Sequence, residues 1–377
     1  LQFSPSSEQR DLAGRAQQFC ESAEHLMPDD EIGTQGMPSD GDSLPVYRAL
    51  GNEGFIGIAW PKDLGGHSLT HVEASLVEEV LGYHWLPLSQ YLLTCKTVGA
   101  ALLKFGDRQL RDRLIPQMAR GQLAFCQGFS EPRAGSDLSA LATRASIEGD
   151  QFVVRGRKIW TSGAREADWI YLAVRTDPQA QKHRGISVLV ADITTPGIEI
   201  RPFRTMGGGT LSEIVLDGVV VPRTNLVGAM NQGWSVLMHT LDFERVTSEK
   251  VGALAWMLDA LDACRLDASG RERVVALRGE HRACRLLSLK AAWLLSRGED
   301  ASAAASMTKL SAGLLAQKVA STAIDVLGVD GLKELEGPLR GRAAALYRAS
   351  VAATISGGAA EVQRIVIARR GLGCPAA

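Results

Sequence analysis

The spacing of apolar residues changes period twice along this chain, and the two changes restrict its fold more than any single motif does. From about residue 5 to 122 apolar positions recur at helical intervals, as in Val72-Glu73-Ala74-Ser75-Leu76-Val77-Glu78-Glu79-Val80-Leu81. Glu8 to Ala13 opens a polar-faced helix, and Trp60-Pro61-Lys62-Asp63-Leu64-Gly65-Gly66 is a turn signal. From about 123 to 228 the texture becomes short β-rich runs, at 151–155, 169–174, 185–190, 198–201 and 214–221, separated by Gly, Pro, Asp and Thr. After Asn231-Gln232-Gly233 the helical period returns, with breaks at Gly270, Gly298, Gly328-Val329-Asp330-Gly331 and Gly337-Pro338. The prediction is a mainly α protein with a central β domain. Residues 1–122 form a helical domain, 123–228 a β-sandwich or barrel, and 229–377 a bundle of four or five antiparallel helices.

Charge and composition remove several function classes. Lys and Arg total 41 against 42 acidic residues, a net charge of -1, which argues against nucleic-acid and membrane-surface partners. The longest apolar runs, such as Ile186-Ser187-Val188-Leu189-Val190-Ala191, are strand-sized, far from the ~20 residues a bilayer span needs. Leu1-Gln2-Phe3-Ser4-Pro5 does not read as a signal peptide. The six cysteines (Cys20, Cys95, Cys126, Cys264, Cys284, Cys374) lack zinc-type spacing and are too sparse for a disulfide scaffold, so a cytoplasmic setting is expected. His67 and His71 lie one helical turn apart without a third ligand, and no metal site is expected. Gly207-Gly208-Gly209 lacks the Lys-Ser/Thr of a phosphate loop and reads as a turn.

Two segments carry the chemistry. Phe129-Ser130-Glu131-Pro132-Arg133-Ala134-Gly135-Ser136-Asp137 is a loop rich in short hydroxyls and backbone donors. Lys158-Ile159-Trp160-Thr161-Ser162-Gly163 sets a Trp beside two more hydroxyls, just after a strand pattern. An aromatic wall with small rim donors suits a flat, polar-edged cofactor. The same residues also suit turn-capping serines and a core Trp.

In this order the segments resemble the flavin-facing signature of the acyl-CoA dehydrogenase family. The resemblance extends through Trp60 to Gly66, Met206-Gly207, Val221-Pro222, Gly233-Trp234-Ser235-Val236-Leu237, Leu241-Asp242-Phe243-Glu244-Arg245-Val246, Glu361-Val362-Gln363-Arg364 and Ile367-Ala368-Arg369. It implies FAD as cofactor, an acyl thioester as substrate (acyl-CoA or acyl-carrier protein), and an electron-transfer flavoprotein or similar acceptor. It also implies a homo-oligomer, dimer or tetramer, with a heteromer as the other possibility. By position, Phe129, Ser130, Ser136, Trp160, Thr161 and Ser162 would bind the cofactor, and Ser136, Asp242, Arg245 and Gly357 the substrate. Arg133 stands where the family usually has Gly.

Abstracting a proton beside a thioester requires a placed carboxylate. Relatives usually carry it in a Tyr-Glu-Gly-Thr stretch, which here reads Ser356-Gly357-Gly358-Ala359. A smaller group places it on the first helix of the last domain, where this chain has Glu244. The resemblance therefore implies Glu244 as base, with Gly357 giving a backbone N–H to the thioester carbonyl. Glu361 is a rival carboxylate of lower rank, and a solvated or ion-paired helix residue is the plain alternative for Glu244.

Other positions depart from the family. The Arg-x-x-Phe-Gly segment that reaches a neighbouring subunit's FAD pyrophosphate is shortened to Cys264-Arg265-Leu266-Asp267-Ala268-Ser269-Gly270-Arg271. Asp325 replaces a frequent Gln. The leading expectation is FAD-dependent α,β-dehydrogenation of an acyl thioester. The alternatives are a non-catalytic or half-site subunit of a heteromer, and a flavin monooxygenase of the same fold.

Overall fold

The computed structural model describes residues 4–26, 43–333, 339 and 341–375; the Gly337-Pro338 break lies outside the described residues. Among the described residues the longer helices that come first are α1 (Ser7–Ser22), α2 (Leu44–Asn52), α3 (His71–Tyr83), α4 over 89–105, and α5 (Arg108–Ala119). Capping boxes start α1, from Ser6 and Gln9, and α3, from Thr70 and Glu73. The middle of α4, Leu92–Gly99, is π-wound. Buried Tyr47 donates its hydroxyl to the carbonyls of Met118 (3.0 Å) and Leu123 (2.8 Å), tying α2 to the entry of the β region.

Eight strands follow: β1 (Phe125–Gly128), β2 (Arg144–Glu148), β3 (Gln151–Thr161), β4 (Trp169–Arg175), β5 (Ile186–Asp192), β6 (Ile198–Arg204), β7 (Thr210–Pro222) and β8 (Leu226–Val227). They form one eight-stranded sheet in the order β6-β7-β3-β2-β4-β5-β8, with β1 paired parallel to β4. The sequence pattern missed β1 and β2. β1 is a four-residue strand buried at all but the half-buried Gln127, and β2 is exposed at most positions. Gly207-Gly208-Gly209 is the turn joining β6 to β7, where the Gly208 N–H donates to Thr205 O.

The last region contains α6 (Gly233–Glu244), α7 (Ser248–Asp262), α8 (Ala268–Ser296), α9 (Ser302–Leu327), α10 (Arg342–Ala353) and α11 (Ala360–Val366). Gly270, expected to break a helix, sits instead in the first turn of α8. Its N–H donates to the side chain of the N-cap Asp267 (2.7 Å), a position that tolerates Gly. By length and apolarity α9 meets the requirement for a membrane span, but it packs as a core helix against α7, α8 and α10. α3 crosses α7 at very short range: a Cβ on Gly82 would overlap Glu249 O, and one on Gly252 would overlap Glu79 O. The N-terminal helices, the sheet and α6 share one large core, in which Phe125, Phe129, Tyr171 and Val188 meet Leu81, Leu102, Val236 and Leu237, while the C-terminal bundle packs a core of its own around Leu254, Val274 and Val319.

Candidate active site

Two ties bring the Phe129–Asp137 loop onto the end of β3. The Ile159 N–H donates to Ser130 O (2.9 Å), and the fully buried Lys158 donates to Phe129 O (3.1 Å) and Glu131 Oε1 (2.8 Å). Glu131 also accepts the N–H groups of Ala142 (2.7 Å) and Thr143 (2.9 Å). Burial pushes its carboxyl up, but Lys158 and these donors together hold it below the ordinary range. A buried ion pair this well bonded fixes geometry more than it adds stability. Pro132-Arg133 forms the exposed tip between the bridged Glu131 and Ala134, so Arg133 meets no crowding.

The β3–β7 register slips between Lys158 and Thr161, and Trp160 takes φ 63°. That irregularity re-aims the side chain. Trp160 is 58% exposed, its edge against Phe203 (centroids 5.3 Å), so it is not a core residue. Thr161 is buried with its hydroxyl unpartnered, and Ser162 and Ser130 are half-buried beside it. Ser136 is exposed on the loop. Phe129 is buried, its ring turned onto Tyr171 (5.4 Å).

Glu244 is the last residue of α6, at the negative end of that helix. Its Oε2 is buried without a hydrogen-bond partner, and burial raises the carboxyl's pKa against the pull of Arg245, Lys250, Lys309 and Lys96. A Cβ placed on Gly357 would stand 3.0 Å from Glu244 Oε1, so the two positions that the sequence comparison paired are neighbours in space. Gly357 has φ 65° and Gly358 φ 97°, a left-handed turn that suits Gly. Three buried or half-buried side chains pin it. Arg245 donates to Gly357 O (3.3 Å), Lys309 to Gly358 O (2.7 Å), and Gln363 to Gly358 O (2.9 Å). Arg245 also faces Asp242 (3.6 Å), which accepts from Ser302 (2.7 Å). Glu361 is exposed and pairs with Arg364 (3.4 Å).

Comparison with known proteins decides the family. Models of the acyl-CoA dehydrogenase N-terminal, middle and C-terminal domains match residues 6–122, 126–219 and 231–372. The acyl-CoA dehydrogenase FadE26 of Mycobacterium tuberculosis is 34% identical over 357 residues, 88% of this chain and 89% of that one. The chain belongs to the acyl-CoA dehydrogenase family. FadE29 of the same organism is 31% identical over 98% of this chain and 97% of its own. Among solved structures, the Tcur3481-Tcur3483 steroid ACAD superposes with TM-score 0.91 at 30% identity over the whole of both chains. The ChsE4-ChsE5 complex from Mycobacterium tuberculosis gives 0.85 at 28%, covering 100% of each.

As an acyl-CoA dehydrogenase the chain is an FAD-dependent oxidoreductase acting on CH–CH groups. The residues fit a flavin: an outward-turned Trp160, half-buried hydroxyls at Ser130 and Ser162, and an orphaned Thr161 hydroxyl sit at or beside the C-terminal end of β3. Asp325, which an anionic pyrophosphate would disfavour, is neutralised by Arg273 (2.8 Å). Lys158, Lys309 and Gln363 escaped sequence reading. Lys309 sits mid-helix on α9 with no local signal, whereas Gln363 lay within the Glu-Val-Gln-Arg motif. Among the described residues no His/Cys/Asp/Glu group could hold a metal ion.

Proposed function

We propose that the chain dehydrogenates an acyl-CoA thioester between its α and β carbons, with Glu244 as the base. The observation that carries this reading is a desolvated carboxylate with one orphaned oxygen, set against a glycine turn where relatives carry their acid. Burial raises the affinity of Glu244 for a proton, as removal of a weakly acidic α-proton requires. The Gly357 N–H donates to the thioester carbonyl oxygen, and Arg245, Lys309 and Gln363 hold the turn in place for it. As the α C–H bond breaks, its proton passes to Glu244 and a C=C bond forms. When bound, FAD supplies the acceptor for the β-hydrogen and its electron pair. Trp160 forms the wall against the ring system, and Ser130, Thr161, Ser162 and the Phe129 backbone line its polar rim. Ser136 closes the site on the loop side, and Asp242 braces Arg245.

Electrons leave to an electron-transferring flavoprotein or similar acceptor. The six cysteines, none in a disulfide, suit a reducing cytosol. The steroid ACAD neighbour makes steroid-derived and unbranched acyl-CoA thioesters the two classes to compare. Anaerobic mixing of FAD-loaded protein with these thioesters tests the base. Glu244→Gln should retain flavin yet lose bleaching by roughly a hundredfold or more, while Glu361→Gln bleaches like the parent. Equal bleaching by Glu244→Gln and the parent would sink the assignment.

A second reading concerns assembly. The shortened 264–271 segment and the two-chain neighbours favour a heteromer in which another chain completes the FAD site. A colourless chain that takes up FAD, with absorbance near ~450 nm, only when co-expressed with a partner would establish it. Flavin bound by the chain alone would exclude it.

A further inference from the structure

Beside Glu244 lies a cavity of about 250 Å³, enclosed by α3, α4, α6 and α8. Phe243 and Val246, which flank Glu244, form part of its wall. Part of the lining is apolar, with Ile58, Trp60, Leu103 and Leu295, and part is charged. Lys96 Nζ donates to Glu78 Oε2 (2.8 Å) and Glu249 Oε2 (3.4 Å), and Tyr91 donates to Glu78 Oε1 (3.4 Å). Glu78 and Glu249 are 3% and 2% exposed; the Lys96 side chain, at 10%, borders the cavity with Glu78 and Tyr91. His71 and His239 complete the lining, both with pKa values pushed down to about 4 by burial and nearby lysines, and are therefore neutral. Their rings meet Phe243 edge-on at 5.1 and 4.9 Å.

A plain hydrocarbon tail fits the apolar part but strips water from Lys96, Glu78 and Tyr91 and returns nothing. An ammonium has three donors, and the two carboxylates use two of them. Lys104, also in the lining, lies against His239 (3.4 Å) and the Phe105 ring; at the Lys96 cluster itself an anionic oxygen would face two carboxylates against one ammonium and be repelled. A neutral oxygen satisfies both constraints.

We propose that the acyl group this chain accepts carries a hydroxyl or ketone oxygen on the part remote from the thioester, bound by Lys96 and bordered by Glu78 and Tyr91. The orientation rests on the reading that the thioester end lies at Glu244; recognition of the oxygen rests on the cavity alone.

The test is equilibrium binding, followed by perturbation of the flavin spectrum, in the FAD-loaded Glu244→Gln protein. Unsubstituted acyl-CoA thioesters from hexanoyl to dodecanoyl are compared with their terminal hydroxy and penultimate oxo analogues. At one or more lengths the oxygenated analogue should bind roughly tenfold or more tightly, the gain of a hydrogen bond to a charged donor. Lys96→Met should erase that preference by weakening the oxygenated ligand and tightening the plain one. If Lys96→Met alone does not fold, the Lys96→Met/Glu78→Gln double variant preserves the net charge of the cluster and must show the same loss. Equal binding of both series at every length overturns the proposal, as does a preference that survives these substitutions. Should Glu244→Gln still bleach with thioester, the base assignment fails, and the same affinities, measured with oxidised flavin before turnover, still decide the cavity.

Discussion

At the scale of single residues, Glu244 links stability to function. Its folded pKa lies above the ordinary value near 4.5 because burial disfavours the charged form. The native state therefore holds this proton more tightly than the unfolded chain does, and the parent loses stability as pH rises through 4.5 toward the folded pKa. Glu244→Gln should melt higher than the parent at pH 8, with the gap closing below pH 4.5; thermal denaturation at both pH values checks this. Lys309 acts on the same carboxylate. Burial and the Lys250 charge bring its pKa down to about 7, and its positive form lowers that of Glu244. Lys309→Met should move the acidic limb of the flavin-reduction profile upward, since it removes a charge that holds the Glu244 pKa down. An unshifted limb with normal flavin content would leave Lys309 a purely structural role.

Elements decide where these residues stand. The α3–α7 crossing depends on Gly82 and Gly252, each facing a backbone carbonyl of the other helix. Gly82→Ala or Gly252→Ala should destabilise the fold by about 1–3 kcal/mol in urea denaturation, since neither backbone can yield without moving the other. The same crossing carries Glu78 and Glu249 to Lys96, so the variants should also loosen the polar part of the acyl cavity. In β3 the irregularity after Lys158 separates three consecutive roles: Lys158 inward to Glu131, Trp160 outward, Thr161 inward again. Alternation along an ideal strand would place Lys158 and Trp160 on one face. The bulge is what frees the indole.

Over the whole molecule, the C-terminal region keeps apolar surface that one chain does not cover. Tyr347 and Val351 lie one turn apart on α10 at 49% and 56% exposure, with Ile355, Ile365 and Leu372 following at 50% or more. One solved neighbour is the ChsE4-ChsE5 complex, and such exposed apolar residues suit a subunit contact. Val351→Asp should shift the protein to a smaller species in light scattering after gel filtration, with its helical circular dichroism unchanged. An unaltered mass would place the contact elsewhere.

Much of this was legible in the chain itself. The two changes of apolar period gave the helical–β–helical order, because burial of one face imposes its repeat on the residues. The pairing of an absent acid at Gly357 with a present one at Glu244 was a matter of residue identity. Other features depended on contacts across the fold. β1 and β2 carry no periodic signal, because one is short and mostly buried and the other mostly exposed. The bulge at Trp160, the pinning of the Gly357 turn by Lys309 and Arg245, and the Glu78–Lys96–Glu249 cluster join residues distant in sequence. Local spacing records which way a side chain faces within its own element. What it meets there is set by the packing of another element, and that only the tertiary structure decided.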